Sequence, residues 1–484
     1  MGLGIVWFRQ DLRLADNPAL RAALKACDEV LPLFIQDSRP GTVGQIGEAT
    51  RVWLHHSLES LEASLCGSGS YLHIVQGDPV AVLPAMAKAL QVEGVFWNRS
   101  YDPDTLERDK RVKTALDGFG PKSYLATLQF EPTKTLKADG TPYRVFTPYW
   151  KNLMHTLPGD APLAAPKKIP SPDASSLAKK LKKAQRNSSV KELALVPDLA
   201  WAERMMKGWK VGEKAAKKQL KLFLANDVRH YDNERDIPSV SGTSRLSPHL
   251  HFGEISPRQI IHATFGTRRK VVALNNGEEI FLKEIVWREF AHNLIYQFPH
   301  TATEPLDVRF KKFPWRKKYQ SHLRAWQQGR TGVPIVDAGM RQLYATGWMH
   351  NRVRMVVASY LIKNLLIPWQ EGERWFRNTL VDADIASNAM GWQWAAGSGA
   401  DAAPFFRIFN PVLQGEKFDK AGDYVKRWVP ELNDVPQKFI HKPWDMTPEE
   451  RARFDYPSPL VDLKLTRQRA LDAFAKIKPP VSQI

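Results

Sequence analysis

Residues 4–34 read GIVWFRQDLRLADNPALRAALKACDEVLPLF. Apolar runs at Gly4–Phe8 and Val30–Phe34 flank Pro18–Ala26, whose apolar residues recur at helical spacing. A short apolar run without polar alternation is what a strand covered on both faces requires. Further along, Tyr71–Val75 and Gly94–Trp97 predict two more buried strands, and Arg51–Cys66 and Ala81–Leu90 two more helices. Strand–helix alternation implies a mostly parallel, Rossmann-like sheet. No GxGxxG follows the first strand and no Walker pattern occurs, so neither a dinucleotide fingerprint nor a phosphate loop is expected.

The chain has 484 residues, enough for two large domains or about three of average size. From Pro158 to Ser189 the composition shifts to Pro, Ala, Ser and Lys, which reads as a linker, partly helical around Leu177–Ala184. From about residue 195 helical periodicity dominates. The expected organisation is an α/β domain over 1–130, a linker over 131–200 and an all-α domain over 201–484. The formal charge of +18 suits a polyanionic partner bound through phosphates, although a basic surface without a partner has the same composition. Two cysteines, Cys27 and Cys66, exclude a disulfide framework and a cysteine zinc cluster. The opening MGLGIVWFRQDLRL has no basic region ahead of its apolar run and meets Arg9 too early for a signal peptide. No apolar run is long enough to span a bilayer. A soluble, cytoplasmic, monomeric protein with no membrane association is expected.

Chemistry concentrates in four later segments. Asp382–Pro411, DADIASNAMGWQWAAGSGADAAPFFRIFNP, sets Asp382, Asp384 and Asn388 close to Trp392 and Trp394. Buried acids need polar or cationic partners, so this set suggests a flat, polar-edged ligand in an aromatic pocket. In Tyr231–Ser247, YDNERDIPSVSGTSRLS, hydroxyls at Thr243, Ser244 and Ser247 surround Arg245 just before a helical pattern from Pro248. Such a helix start offers a phosphate site, or simply an N-cap. Phe281–Phe290, FLKEIVWREF, carries Glu284, Trp287 and Arg288 on adjoining helix faces. Thr346–Met355, TGWMHNRVRM, places Asn351 and Met355 four apart on one face. The histidine pairs His55–His56 and His249–His251 are read as lacking acidic or cysteine partners at ligand spacing, so no metal site is expected. No serine nucleophile elbow occurs.

These segments resemble the photolyase/cryptochrome family. The resemblance runs from IVWFRQDLRLADNPAL (5–20) to RWVPELNDVP (427–436) and is most specific over 228–436. It implies an N-terminal antenna-type domain and a helical FAD-binding domain. GTSRLSPHLHFGEISPRQ is similar to the segment that wraps the FAD pyrophosphate, with Thr243, Ser244, Arg245, Leu246 and Ser247 as contacts and Tyr231 upstream. The resemblance also implies that Arg354 pairs with Asp382 beside the flavin ring, that Asp384 accepts the ring imide N–H, and that Asn388 sits at N5. Arg288 and Ala383 belong to the same cofactor set. Glu284 would hydrogen-bond a pyrimidine dimer, Asn351 would bridge the adenine and the dimer, Trp287 and Trp394 would wall its pocket, and Met355 would pack against it. Asn at 351, Met at 355 and Asn at 388 point to repair of cyclobutane dimers in DNA. Arg235, Arg352 and Arg407 would grip phosphates. Trp392, Trp369 and Trp315, which on composition alone are core aromatics, match the chain that passes electrons to the flavin. The Trp315 spacing, with FPWR, DAGMRQLYATGWMHN and SNAMGWQW, looks closer to class III than to class I enzymes.

For an antenna chromophore the resemblance leaves the identity open. Asp104 and Thr105 stand where folate-binding class I members carry an Asn–Glu pair. Methenyltetrahydrofolate held by other residues, near Tyr149 and Trp150, is favoured; a deazaflavin, a second flavin or no antenna are the alternatives. The rival functions are a cryptochrome-type photoreceptor, disfavoured by a short tail after Gln437, and a colourless DNA-binding protein.

Overall fold

The computed structural model describes residues 2–37, 46–185, 187–402, 404–405 and 407–477. They form two compact units, Met1–Ala202 with Gly208–Arg229 and Ser244–Pro299, and Glu203–Lys207 with His230–Thr243 and His300–Ile484.

The first unit opens with β1 (Leu3–Phe8), α1 (Pro18–Ala26), β2 (Glu29–Gln36), α2 (Glu48–Cys66), β3 (His73–Gln76), α3 (Pro79–Leu90), β4 (Gly94–Asn98), α4 (Pro103–Ala115) and β5 (Pro121–Tyr124). All five strands are parallel, in the order β3-β2-β1-β4-β5. Ile5 pairs with Leu31 on one side and Val95 on the other, and every β1 residue from Gly4 to Phe8 is buried. That explains the unbroken apolar runs: helices cover both faces. Helix starts follow local chemistry. Asn17 accepts from the Leu20 N–H at 3.1 Å ahead of Pro18, and Asp78 accepts from the Val80 N–H at 3.0 Å ahead of Pro79.

Two expectations are corrected. The third strand is His73–Gln76, not Tyr71–Val75, because its pairing runs from Leu33↔His73 to Gln36↔Gln76 and leaves Tyr71 before the ladder. A fifth strand and its helix α4, absent from the sequence reading, complete the sheet. Residues 131–200 lie within this unit. They contribute α5 (Phe146–Leu153), a helix at Ala174–Lys180 and a 3₁₀ turn at Lys183–Gln185, and Leu177 and Leu181 join the core beneath the sheet.

The second unit is helical among its described residues. Its core gathers Trp326, Val336, Leu343, Val357, Leu361, Trp369, Phe376, Trp392, Tyr424 and their neighbours. Three helices matter for the site: Asn351–Ser359, Trp369–Thr379 and Ile385–Ala396. Gly372 lets the last two approach, since a Cβ there would lie 2.0 Å from Trp392 Cη2. No helix of the described residues is long and apolar enough to cross a membrane.

Candidate functional site

In the second unit the Asp382–Asn388 stretch begins the Ile385–Ala396 helix. Asp384 is its N-cap, with Oδ1 accepting from the Ser387 N–H at 2.7 Å. Asp382 is buried, and Arg354 Nη2 lies 2.8 Å from its Oδ2 while Arg354 Nε donates to the Met349 carbonyl at 2.7 Å. Among the described residues no donor reaches the buried Asp382 Oδ1. A buried carboxylate oxygen without a protein donor is where a ligand N–H or O–H fits. Ala383 is half-buried and packs against the core.

Asn388 is fixed by a residue the sequence reading missed. Its Nδ2 donates to Glu373 Oε1 at 2.9 Å and to the Glu373 carbonyl at 3.1 Å. Both partners can only accept, so the amide's orientation is decided and its Oδ1 points the other way. Glu373 is itself paired with Arg377.

The Asn351–Ser359 helix presents Asn351 exposed and Met355 half-buried. Its cap is His350, whose Nδ1 accepts from the Arg352 N–H at 3.2 Å. Burial pushes the His350 imidazole down to about 4; nearby Asp236 opposes that shift, and Arg354, Arg352 and Arg235 add to it. Arg352 is not a free cation. Its Nη2 lies 2.6 Å from Asp236 Oδ2 and its guanidinium 4.4 Å over the Phe418 ring. Arg235 stacks 5.4 Å over Tyr231, which is buried. Arg407 is exposed, and its carbonyl accepts from buried Lys363 Nζ at 3.1 Å.

Trp392 and Trp369 are buried in the helical core, and Trp315 packs at its edge, 4.4 Å from Phe313. Trp392 meets Phe376 edge-on at 5.0 Å and Trp326 at 6.1 Å, so Trp326 joins the aromatic set. Trp394 is half-buried, its ring 6.4 Å from Phe409. Thr243 is half-buried in this unit as well.

In the first unit, Ser244–Ser247 form a tight loop. Gln219 Nε2 donates to the Ser244 carbonyl at 3.1 Å, and the Leu246 N–H approaches Ser244 Oγ at 3.4 Å. Arg245 sits at φ 51° with its guanidinium 4.2 Å over Trp209. A non-glycine residue in the left-handed region is strain that the surroundings must hold in place. Leu246 is buried, Ser247 exposed, and the helix expected from Pro248 is a single five-residue stretch, Ser247–His251.

Glu284, Trp287 and Arg288 lie on a helix longer than expected, Asn276–Gln297. Glu284 is half-buried. Phe146 stacks flat on Trp287, with centroids 3.7 Å apart and planes 8° from parallel. Arg288 Nη1 donates to the Thr127 carbonyl at 2.9 Å. The next residue, Glu289, is buried, and its Oε2 accepts from the Gln129 and Phe130 N–H groups at 2.9 and 3.1 Å. Burial pushes its carboxyl up to about 7 despite Arg288 and those two donors. Tyr149 and Trp150 are buried, Tyr149 against Tyr143 and Phe290, and Trp150 beneath the Lys283 ammonium. Asp104 and Thr105 open α4, where Thr105 Oγ1 donates to the Asp102 carbonyl at 2.9 Å.

The histidine reading is corrected. His55 and His56 share Glu59, at 3.3 and 3.2 Å, and His249 pairs with Glu254, which also accepts from Trp53 Nε1 at 3.0 Å. Helical spacing of three and four residues to Glu59 was the available signal.

Two family models match in chain order: "DNA photolyase" over residues 4–171 and "FAD binding domain of DNA photolyase" over 281–476. The chain is 46 % identical to a deoxyribodipyrimidine photo-lyase of Agrobacterium fabrum, covering 98 % of each chain. It is 38 % identical to cryptochrome-1 of Arabidopsis thaliana, covering 98 % of this chain and 70 % of the plant protein. Among solved structures, a bacterial class III photolyase from Agrobacterium tumefaciens superposes with a TM-score of 0.91 at 44 % identity, covering 99 % of this chain and 98 % of the other. With its parallel-sheet first unit and helical FAD-binding region, the chain belongs to the DNA photolyase/cryptochrome family.

Proposed function

We propose that the protein is a deoxyribodipyrimidine photo-lyase of the class III type, repairing cyclobutane pyrimidine dimers in cytoplasmic DNA under blue light. The observation that carries this reading is the likeness to photolyases over the whole chain, through both family models. When bound, reduced FAD supplies an electron to the dimer under light and takes it back once the two cyclobutane C–C bonds have broken, so no net redox occurs.

The chain's residues bind, orient and exclude. Tyr231, Thr243, Ser244, Arg245, Leu246, Ser247 and Arg288 hold the cofactor's phosphate and ribose parts. Arg354, Asp382, Ala383 and Asp384 hold its ring, and the partnerless Asp382 Oδ1 supports that assignment. Asn388, turned by Glu373, offers an acceptor oxygen and, as an amide, has no carboxylic proton to deliver. Arg235, Arg352 and Arg407 contact phosphates around a dimer taken out of the stack, as enzymes acting on bases do, photolyases included. Trp287 and Trp394 stack on it, an interaction worth about 1–3 kcal/mol per base. Met355 packs beside it. Glu284 and Asn351 stabilise the charge arriving on the dimer, an electrostatic role. Trp392, Trp369 and Trp315 reload the cofactor from the surface. An antenna chromophore is part of the reading, with methenyltetrahydrofolate favoured and a deazaflavin the other candidate. In sheets of this order, ligands bind where the strand order reverses, here between β1 and β4.

The deciding experiment mixes reduced, FAD-loaded protein with an oligonucleotide carrying one thymine dimer, in blue light and in darkness. Light-dependent return of thymine is expected. Protein that holds reduced FAD and repairs nothing would move the assignment to a photoreceptor, the reading favoured by the cryptochrome-1 likeness.

A further inference from the structure

We propose that His55, His56 and Glu59 on α2 form a surface site for a divalent d-block cation of the zinc or copper kind. Glu59 follows His55 by four residues and His56 by three, so helix geometry sets its carboxylate against both rings. His55 Nε2 lies 3.3 Å from Glu59 Oε1, and His56 Nδ1 lies 3.2 Å from Glu59 Oε2. One ligand atom from each residue falls within 4.8 Å of the others. A tetrahedral zinc ion with bonds of about 2.0–2.1 Å separates its ligand atoms by roughly 3.3 Å. The His55 edge therefore already has the right length on one carboxylate oxygen, and the His56 edge on the other. Turning the half-buried His56 ring brings its nitrogen towards the same ion as that of His55, and solvent fills the remaining position.

The donor set selects the ion. Two imidazole nitrogens and one carboxylate oxygen suit zinc, copper and nickel, whereas calcium and magnesium prefer oxygen alone. The His55 side chain is mostly buried, His56 is half-buried and Glu59 is exposed. The site is thus part preformed and part accessible. Two features limit its strength. Among the described residues nothing accepts from His55 Nδ1, and acceptors behind a ligand normally tighten metal binding by about 10–100-fold. The Lys191 ammonium is also within electrostatic reach and opposes a cation. The alternative is two ordinary surface His–Glu contacts that bind no metal.

Copper(II) titrated into the FAD-loaded protein, followed by electron paramagnetic resonance and calorimetry, separates these. One ion per chain with hyperfine structure from two nitrogens is expected. His56→Ala, a change at a half-buried position on the helix surface, should remove one nitrogen and weaken binding by about tenfold or more. Glu59→Gln should weaken binding while keeping both nitrogens, and Lys191→Ala should tighten it. If His56→Ala and Glu59→Gln bind copper with the wild-type spectrum and affinity, the metal sits on other histidines and the site is overturned. Absence of stoichiometric binding overturns it equally.

Discussion

Asn388 depends on Glu373 for its orientation, and that dependence makes a sharp test. Asp at 388 would lose the two hydrogen bonds to Glu373 and set a second carboxylate against the first. Asn388→Asp should cost about 1–3 kcal/mol at neutral pH in a denaturant titration. It should also alter the resting absorption spectrum of the bound flavin. An unchanged spectrum would argue against the placement of Asn388 at N5. Phe146 makes a second test. It covers one ring face of Trp287, so Phe146→Ala frees that indole to turn. The expected effect is weaker binding of dimer-containing DNA, by about tenfold, from a stacking contact of roughly 1 kcal/mol and lost order. Phe146→Tyr should restore it. Equal affinity in Phe146→Ala, measured by titration in the dark, would show that Trp287 holds itself. At this scale the sequence displayed the reactive residue types but not their supports. Glu373, Phe146 and Asp236 stand 15, 141 and 116 positions from the residues they fix, and no local pattern announces such pairs.

Elements were more legible than partners, and for a physical reason. The runs at Gly4–Phe8 and Gly94–Trp97 are apolar because both sheet faces are covered, so burial is written into them. β5, Pro121–Tyr124, is a half-exposed edge strand of sequence PKSY, with no burial to betray it. α4 buries a charged pair, Arg108 and Asp109, alongside Val112, and reads as solvated. The helix bearing Asn351 and Met355 rests on His350, which caps it as a neutral imidazole. Its folded pKa, about 4, lies below the ordinary 6.5, so its stabilisation is complete above pH 6.5 and is lost as pH falls towards 4. Up to about 3 kcal/mol is involved. His350→Asn keeps a capping side chain but does not titrate. The stability difference between wild type and His350→Asn should therefore swing against wild type between neutral pH and about pH 4; a constant difference in urea midpoints would refute the cap's titration. The contact between the Trp369–Thr379 and Ile385–Ala396 helices rests on Gly372. Gly372→Ala should displace Trp392, destabilise by about 1–3 kcal/mol, and slow light-driven reduction of bound flavin. Unchanged photoreduction kinetics would remove Trp392 from the electron path.

For the molecule as a whole, the charge of +18 predicts DNA binding that weakens steeply with salt. The slope of log affinity against log salt counts phosphate contacts, at roughly 0.9 per contact. Arg407 is exposed and Arg352 is already committed to Asp236. Arg407→Ala should lower the slope by about one, and Arg352→Ala by clearly less. Equal reductions would mean that the Arg352–Asp236 pair opens on DNA. Glu289 and His350 add a property that neither has alone. At about pH 6 an unfolded Glu289, near 4.5, is ionised, while the folded one, near 7, holds a proton. Its stabilising share is present below pH 4.5 and is lost as pH rises through 7. His350 runs the opposite way, protonated when unfolded and neutral when folded. Folding therefore draws one proton from the buffer and returns another. The contributions of these two groups to the buffer dependence of the refolding heat therefore oppose each other. Relative to wild type, Glu289→Gln should shift folding towards proton release and His350→Asn towards proton uptake, measured as the slope of refolding heat against buffer ionisation heat.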